Sequence, residues 1–142
     1  MSVTGGCLCG AVRYTLREKP KETNACHCEM CRRWSGGVFM SVRSRAEDVT
    51  LEGQDHMGRF KSSDWAERCF CTQCGSVLFY HVTAEGGFHD HHYFGFGTLD
   101  DQSGIPLTNE SFIDKKSDGF AFSGKHSTMT EAEIMAMFAD LV

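Results

Sequence analysis

Arg68–Val82 reads R-C-F-C-T-Q-C-G-S-V-L-F-Y-H-V and carries two signals in one short run. Its ends, Arg68–Phe70 and above all Val77–Val82, are rich in aromatic and β-branched residues and read as strands. Between them Cys71 and Cys74 form C-x-x-C, followed at once by Gly75. Two thiolates so spaced can reach one ion about 2.3 Å from each sulfur, whereas a disulfide across so few residues is strained. The stretch is therefore a strand, a metal-binding turn and a second strand. That combination predicts a β-rich chain cross-linked by metal.

Two further clusters complete the pattern. Cys7 and Cys9 form C-x-C, and Cys26, Cys28 and Cys31 form C-x-C-x-x-C. The two pairs, Cys7, Cys9, Cys71 and Cys74, make four soft ligands, the set of a closed structural zinc site. The triplet makes three, the set of a zinc site with one position open to water or substrate. The expectation is two zinc ions per chain, one structural and one working. Eight cysteines also suit a disulfide framework. Against it, Met1–Gly10 has neither the basic start nor the apolar core of a secretory signal, which predicts a cytoplasmic protein with reduced thiols. Cys69 stands outside the count. Strand alternation puts it on the same face as Cys71, and it reads as a small buried hydrophobe.

With 142 residues, the chain is expected to form a single domain over 1–142. No run of about 18 apolar residues exists to span a membrane. The formal charge is −5, and seven thiolates with two Zn²⁺ take the loaded protein to about −8. Such an acidic chain repels phosphate backbones, so nucleic acid is not an expected partner.

Further short strands are predicted over Ala11–Leu16, Val38–Val42, Val49–Leu51, His56–Lys61 and His91–Leu99. One helix is signalled. Thr130 with Glu133 is a capping-box pattern, and Ile134, Met137, Phe138 and Leu141 recur at helical spacing, as a face packed on a sheet. The fold class is mainly β with a C-terminal helix.

Five motifs, in order, resemble those of a known family: G-G-C-L-C-G-A-V (Gly5–Val12), C-H-C-E-M-C-R-R (Cys26–Arg33), F-K-S-S (Phe60–Ser63), the R-C-F-C-T-Q-C-G-S-V-L-F-Y run from Arg68, and G-T-L-D (Gly97–Asp100). The chain is similar to the glutathione-dependent formaldehyde-activating enzymes, which include centromere protein V-like proteins. The resemblance implies a β-tent of small antiparallel sheets held by two zinc ions. It implies that Cys7, Cys9, Cys71 and Cys74 hold the structural zinc, and that Cys26, Cys28 and Cys31 form the catalytic site. It also implies a carbon–sulfur lyase-type reaction on a thiol/carbonyl adduct, with glutathione as the small-molecule thiol. The family's histidine after a proline is absent here, where Pro106 is followed by Leu107, Thr108, Asn109 and Glu110.

Other residues near the motifs invite roles. His27, between two ligands, suits a fourth ligand or a base, against a hydrogen-bonded histidine facing away. Alternation sends His89 and His91 to one face of a strand and His92 to the other. Arg32 and Arg33 suit a substrate carboxylate, against a solvated basic pair. Trp34 reads as a lid or as core. Ser62 and Ser63 lack a base, so neither reads as a nucleophile. The competing functional class is a non-catalytic zinc module that binds a protein partner or another macromolecule. A fourth protein ligand at the second metal would favour it.

Overall fold

In the computed structural model, which describes residues 1–141 and side chains through 139, Val3–Gly6 (β1) and Arg13–Leu16 (β2) pair antiparallel around the Cys7–Cys9 turn. Val49–Glu52 (β5) completes this small sheet in the order β1-β2-β5. β1 lies close over the Tyr14 ring, because a Cβ at Gly5 would sit 2.4 Å from that ring and 2.5 Å from the Thr98 carbonyl oxygen. Tyr14 is itself fully buried, with its hydroxyl 2.6 Å from Thr98 Oγ1.

Eight strands build the second sheet: Thr23–Cys26 (β3), Phe39–Arg45 (β4), Met57–Lys61 (β6), Ala66–Cys71 (β7), Val77–Val82 (β8), His91–Gly95 (β9), Leu107–Ser111 (β10) and Ser127–Met129 (β11). Their order is β11-β10-β3-β4-β9-β8-β7-β6. β10 runs parallel to both β3 and β11, and the other pairings are antiparallel. Side chains of both sheets meet in a core of Val12, Tyr14, Leu16, Val42, Leu78, Phe79 and Phe94.

Two helices complete the chain. Glu29–Ser35 (α1) is one that apolar periodicity does not reveal, being seven residues long with a single buried residue, Cys31. Its signals are local: Cys28 as N-cap, Glu29 in the first turn, Arg32 and Arg33 in the last, and Gly36 at φ 82° as C-cap. Glu131–Leu141 (α2) starts as the sequence predicts. Thr130 N donates to Glu133 Oε1 at 3.2 Å, and Glu133 N donates to Thr130 Oγ1 at 3.2 Å. Ile134 is buried and Phe138 packs on Trp65 and Phe88, with ring centroids at 5.4 and 5.2 Å. The Leu141 side chain lies outside the described residues. No helix among the described residues is long and apolar enough to cross a membrane.

Differences from the sequence reading are physical. β1, β3, β10 and β11 were not predicted, because their buried positions include Gly5, Thr23, Glu110 and Ser111 rather than alternating apolar residues. β9 ends at Gly95 and passes into a helical turn over Phe96–Thr98, so the strand does not reach Leu99. His89 lies in the turn before β9, off the strand, and does not share a face with His91. Cys69 and Cys71 are both fully buried in one core with half-buried Phe70 between them, as alternation predicts. The slip in the β7–β8 register falls in β8, where Phe79 pairs with Cys69 and Val77 with Phe70.

His92 is buried, stacked on His81 at 4.3 Å, and its Nδ1–H donates to the Asp90 carbonyl at 3.0 Å. Burial pushes its pKa down to about 4. The unfolded chain thus takes up a proton near pH 6.5 that the folded one refuses until about pH 4, so stability falls as pH drops through that window. Urea unfolding at pH 7 and pH 4.5 is expected to show His92→Phe losing on the order of 2 kcal/mol less than wild type. Equal losses in the two proteins would remove His92 as the cause.

Candidate metal centres

The four-cysteine group forms where the small sheet meets the β7–β8 turn. Cys7 and Cys9 leave β1, while Cys71 ends β7 and Cys74 follows in a turn closed by Gly75 at φ 79°. All four sulfurs lie within 4.8 Å of one another. Cys7 Sγ is 3.6 Å from Cys9 Sγ, and Cys9 Sγ is 3.8 Å from Cys71 Sγ. Sulfurs about 2.3 Å from a tetrahedral zinc stand about 3.8 Å apart, so the spacing fits that ion. Donors already face the sulfurs: Val12 N to Cys7 at 3.3 Å, Cys74 N to Cys71 at 3.4 Å and Gln73 Nε2 to Cys9 at 3.4 Å. Hydrogen bonds from the side chain and backbone of Ser76 bring the Cys74 thiol down to about 5. Amides aimed at sulfur suit thiolates, the form a metal requires.

The second group sits where β3 turns into α1. Cys26 ends the strand, Cys28 caps the helix and Cys31 is in its first turn, with the three sulfurs within 4.8 Å of one another. Among the described residues no fourth His, Cys, Asp or Glu joins them. Hydrogen bonds from Cys26 and Cys31 pull the Cys28 thiol down to about 2, and bonding to Cys28 pushes Cys26 far up. Thiols this close share hydrogen bonds that favour a thiolate in the trio, and a bound cation would displace the remaining protons. The donor set fits an ion that accepts three thiolates and leaves one position open.

Arg68 is the residue at this site that sequence reasoning missed. Its guanidinium, 4% exposed, donates to Cys31 Sγ through Nη1 at 3.6 Å and Nη2 at 3.7 Å. It lies over the rings of both Trp34 and Tyr80, with centroids at 4.9 and 5.1 Å. Trp34 is thereby part of the packing behind the thiols, with Phe39 at 5.2 Å. The signal for Arg68 was the hairpin itself, which sets it opposite Tyr80.

His27 turns away from the sulfurs and is hydrogen-bonded, not a ligand. Its Nε2 lies 2.7 Å from Glu110 Oε1, and the other oxygen of Glu110 accepts from His126 Nε2. All three side chains are buried, so β10 and the segment before β11 are clasped to the cysteine loop. Arg33 pairs with Glu29 at 2.9 Å on the outside of α1, and Arg32 faces a small hollow with His27 and Lys115. Neither lines the large cavity above the three thiols, although Cys28 also borders the hollow that Arg32 faces. His89, His91 and His92 do not converge in any metal-binding group among the described residues. Cys69 is fully buried, burial raises its pKa to about 12, and it joins neither group. Ser62 donates to the Ala66 carbonyl and Ser63 accepts from Trp65 N, so both serve a turn.

The three thiols open into a cavity of about 890 Å³ between one face of the large sheet and α2. A cross-strand row floors one half, with Arg43 opposite Tyr93, Tyr93 opposite Tyr80 and Tyr80 opposite Arg68. A polar row floors the other. Asn109 Nδ2 donates to Asn24 Oδ1 at 2.7 Å, Ser111 Oγ donates to the same oxygen at 3.0 Å, and Ser41 lies opposite Asn24.

Residues 2–115 match the sequence profile of the glutathione-dependent formaldehyde-activating enzyme family. An uncharacterized lyase of Schizosaccharomyces pombe is 32% identical over 132 residues, covering 92% of this chain and 93% of its own. A Halomonas elongata protein named as a candidate glutathione-dependent formaldehyde-activating enzyme is 30% identical over 86 residues, covering 55% of each. Among solved structures, a Rhodobacter sphaeroides protein superposes with a TM-score of 0.57 at 21% identity. The match covers 74% of this chain and 99% of that one, a likeness of fold.

Removing the Glu110 carboxylate strands two buried imidazoles without an acceptor. Glu110→Ala is expected to cost about 2–4 kcal/mol in urea unfolding, and Glu110→Gln less because it keeps one acceptor. A change below about 0.5 kcal/mol for Glu110→Ala would show that the clasp does not hold the segments together.

Proposed function

The chain belongs to the glutathione-dependent formaldehyde-activating enzyme family, and on that premise we propose that it is a zinc-dependent carbon–sulfur lyase-type enzyme acting on a small thiol/carbonyl adduct. The observation that carries this reading is the three-thiol group with no fourth protein donor among the described residues, opening into a cavity large enough for a peptide-sized thiol. A closed fourth ligand would have favoured a binding module instead. The whole chain, 1–142, acts as one unit in this reading, with glutathione as the thiol partner. Eight unpaired cysteines suit a reducing compartment, which supports a cytoplasmic location.

Cys26, Cys28 and Cys31 would hold the working zinc, and Cys7, Cys9, Cys71 and Cys74 the structural one, giving two per chain. A zinc ion on three thiolates supplies a soft, open position at which a thiol ionises near neutral pH. The protein's own groups do the rest. Arg68 offsets negative charge on Cys31 and is fixed by two rings, so the thiols keep their places as charge changes. The Asn24–Asn109–Ser111 row offers amide and hydroxyl groups to the peptide and hydroxyl parts of an adduct. Burial between sheet and α2 limits water around the reacting atoms. In the forward direction the thiol sulfur bonds to the carbonyl carbon, the π pair moves onto oxygen, and the proton lost from sulfur ends there. Cleavage is the reverse.

Paired variants separate the two groups. Wild type is expected to hold two zinc ions per chain. Cys28→Ser should stay folded, keep one zinc and lose both thiol binding and thiol-dependent turnover. Cys74→Ser should lower the melting temperature by more than about 10 °C, since structural zinc contributes on the order of 10 kcal/mol to folding. Metal analysis, melting curves and calorimetry with glutathione decide the matter. If Cys28→Ser loses both metals and unfolds, the triplet is structural and the enzyme reading fails.

A further inference from the structure

The cavity above the three thiols is far larger than formaldehyde chemistry requires. Its 890 Å³ corresponds to about 30 water-sized groups, more than a hydroxymethylated tripeptide fills. Its two ends also differ in character. Near the thiols and along β3, β4 and β10 the lining is polar. Under α2 the wall is apolar and aromatic, formed by Trp65, Phe88, Met137 and Phe138. The three rings meet each other at 5.4 and 5.2 Å and roof the space without filling it. Opposite them Tyr80 and Tyr93 lie stacked, with centroids 4.4 Å apart. Arg43, exposed at the end of that tyrosine row and hydrogen-bonded to Tyr93, pairs with no carboxylate among the described residues.

We propose that the adduct handled here carries an aryl group on its aldehyde-derived side, held between the Tyr80–Tyr93 floor and the Trp65–Phe88–Phe138 roof, with a carboxylate of the thiol partner on Arg43. This rests on the lyase reading of the same site. A one-carbon aldehyde leaves the aromatic wall wet, whereas an aryl body removes apolar surface of both ligand and wall from water. Aromatic rings prefer offset or tilted partners at such spacings, and both the floor and the roof supply them. The reaction keeps its balance: the S–C bond forms at the carbonyl carbon of an aryl-bearing aldehyde, the π pair moves onto oxygen, and the sulfur's proton ends there.

The test uses zinc-loaded full-length protein and two independent readouts. The first is kcat/KM with glutathione for phenylacetaldehyde against formaldehyde, the uncatalysed rate subtracted. The second is calorimetry with 4-phenylbutyrate, which has an aryl body and a carboxylate but no sulfur. Wild type is expected to favour phenylacetaldehyde by at least about tenfold and to bind 4-phenylbutyrate. Phe138→Ala should bring the aldehyde ratio towards one, and both Phe138→Ala and Arg43→Gln should raise the 4-phenylbutyrate Kd by at least about fivefold. Met137→Trp, which fills the space rather than emptying it, should abolish 4-phenylbutyrate binding. Turnover of both aldehydes without preference, and no 4-phenylbutyrate binding, overturns the aryl assignment while the lyase reading stands. Binding of 4-phenylbutyrate that the variants weaken, without turnover of either aldehyde, overturns the lyase reading and supports the cavity's ligand class.

Discussion

The meeting of Cys7 and Cys9 with Cys71 and Cys74 is the contact on which the rest of the molecule depends. It joins residues 62 positions apart in the chain and ties the small sheet to the tip of the β7–β8 hairpin. Apart from core packing, few ties carry the same load. Gly5 bridges to Leu99, and Arg13 pairs with Asp100, which also accepts from Thr4. Arg13 and Asp100 are partly in water, where ion pairs contribute little. Closing so long a loop removes much freedom from the unfolded chain, and sulfur spacing that suits a tetrahedral ion is how this chain does it.

Once the hairpin is anchored, the large sheet positions everything at the second cysteine group. β7 and β8 set Arg68 opposite Tyr80, and β9 and β4 extend that row to Tyr93 and Arg43. From the other side, β10 pairs parallel with β3 and puts Ser111 beside Cys26. The thiols therefore stand where a charged, aromatic half of the sheet meets an amide and hydroxyl half. Arg68 belongs to the first and the Glu110 clasp on His27 to the second. Loss of either leaves a buried charge or donor uncompensated, which is why both are part of the architecture as much as of the chemistry.

How much of this was legible in the sequence varies by element. The cysteine groupings could be counted, because C-x-C and C-x-x-C confine ligands to one turn whatever the fold around them. β8 and α2 were readable too, since Val77–Val82 is dense in β-formers and Thr130 with Glu133 marks a cap. α1 escaped because seven residues with one buried thiol among charges have no apolar period. β3 and β10 escaped because they bury Thr23, Glu110 and Ser111. Their pairing is decided by a partner 83 residues away, and no local propensity records that. His27 shows the same limit. Its neighbours suggested a ligand, and only the distant Glu110 fixes where its ring points.

That parallel pairing has a consequence for how the protein is made. Cys26, Cys28 and Cys31 leave the ribosome well before Glu110 and its strand exist, since His27 and Glu110 are 83 residues apart. At 5–20 residues per second, the interval is roughly 4 to 17 s. During it the nascent chain exposes a trio of adjacent thiols without the clasp or the helical roof, and at first without Arg68, which follows Cys31 by 37 residues. The newborn chain is thus open to oxidants and to the wrong ion in a way the finished protein is not. The order of synthesis makes this cysteine group one of the last parts of the fold to be enclosed.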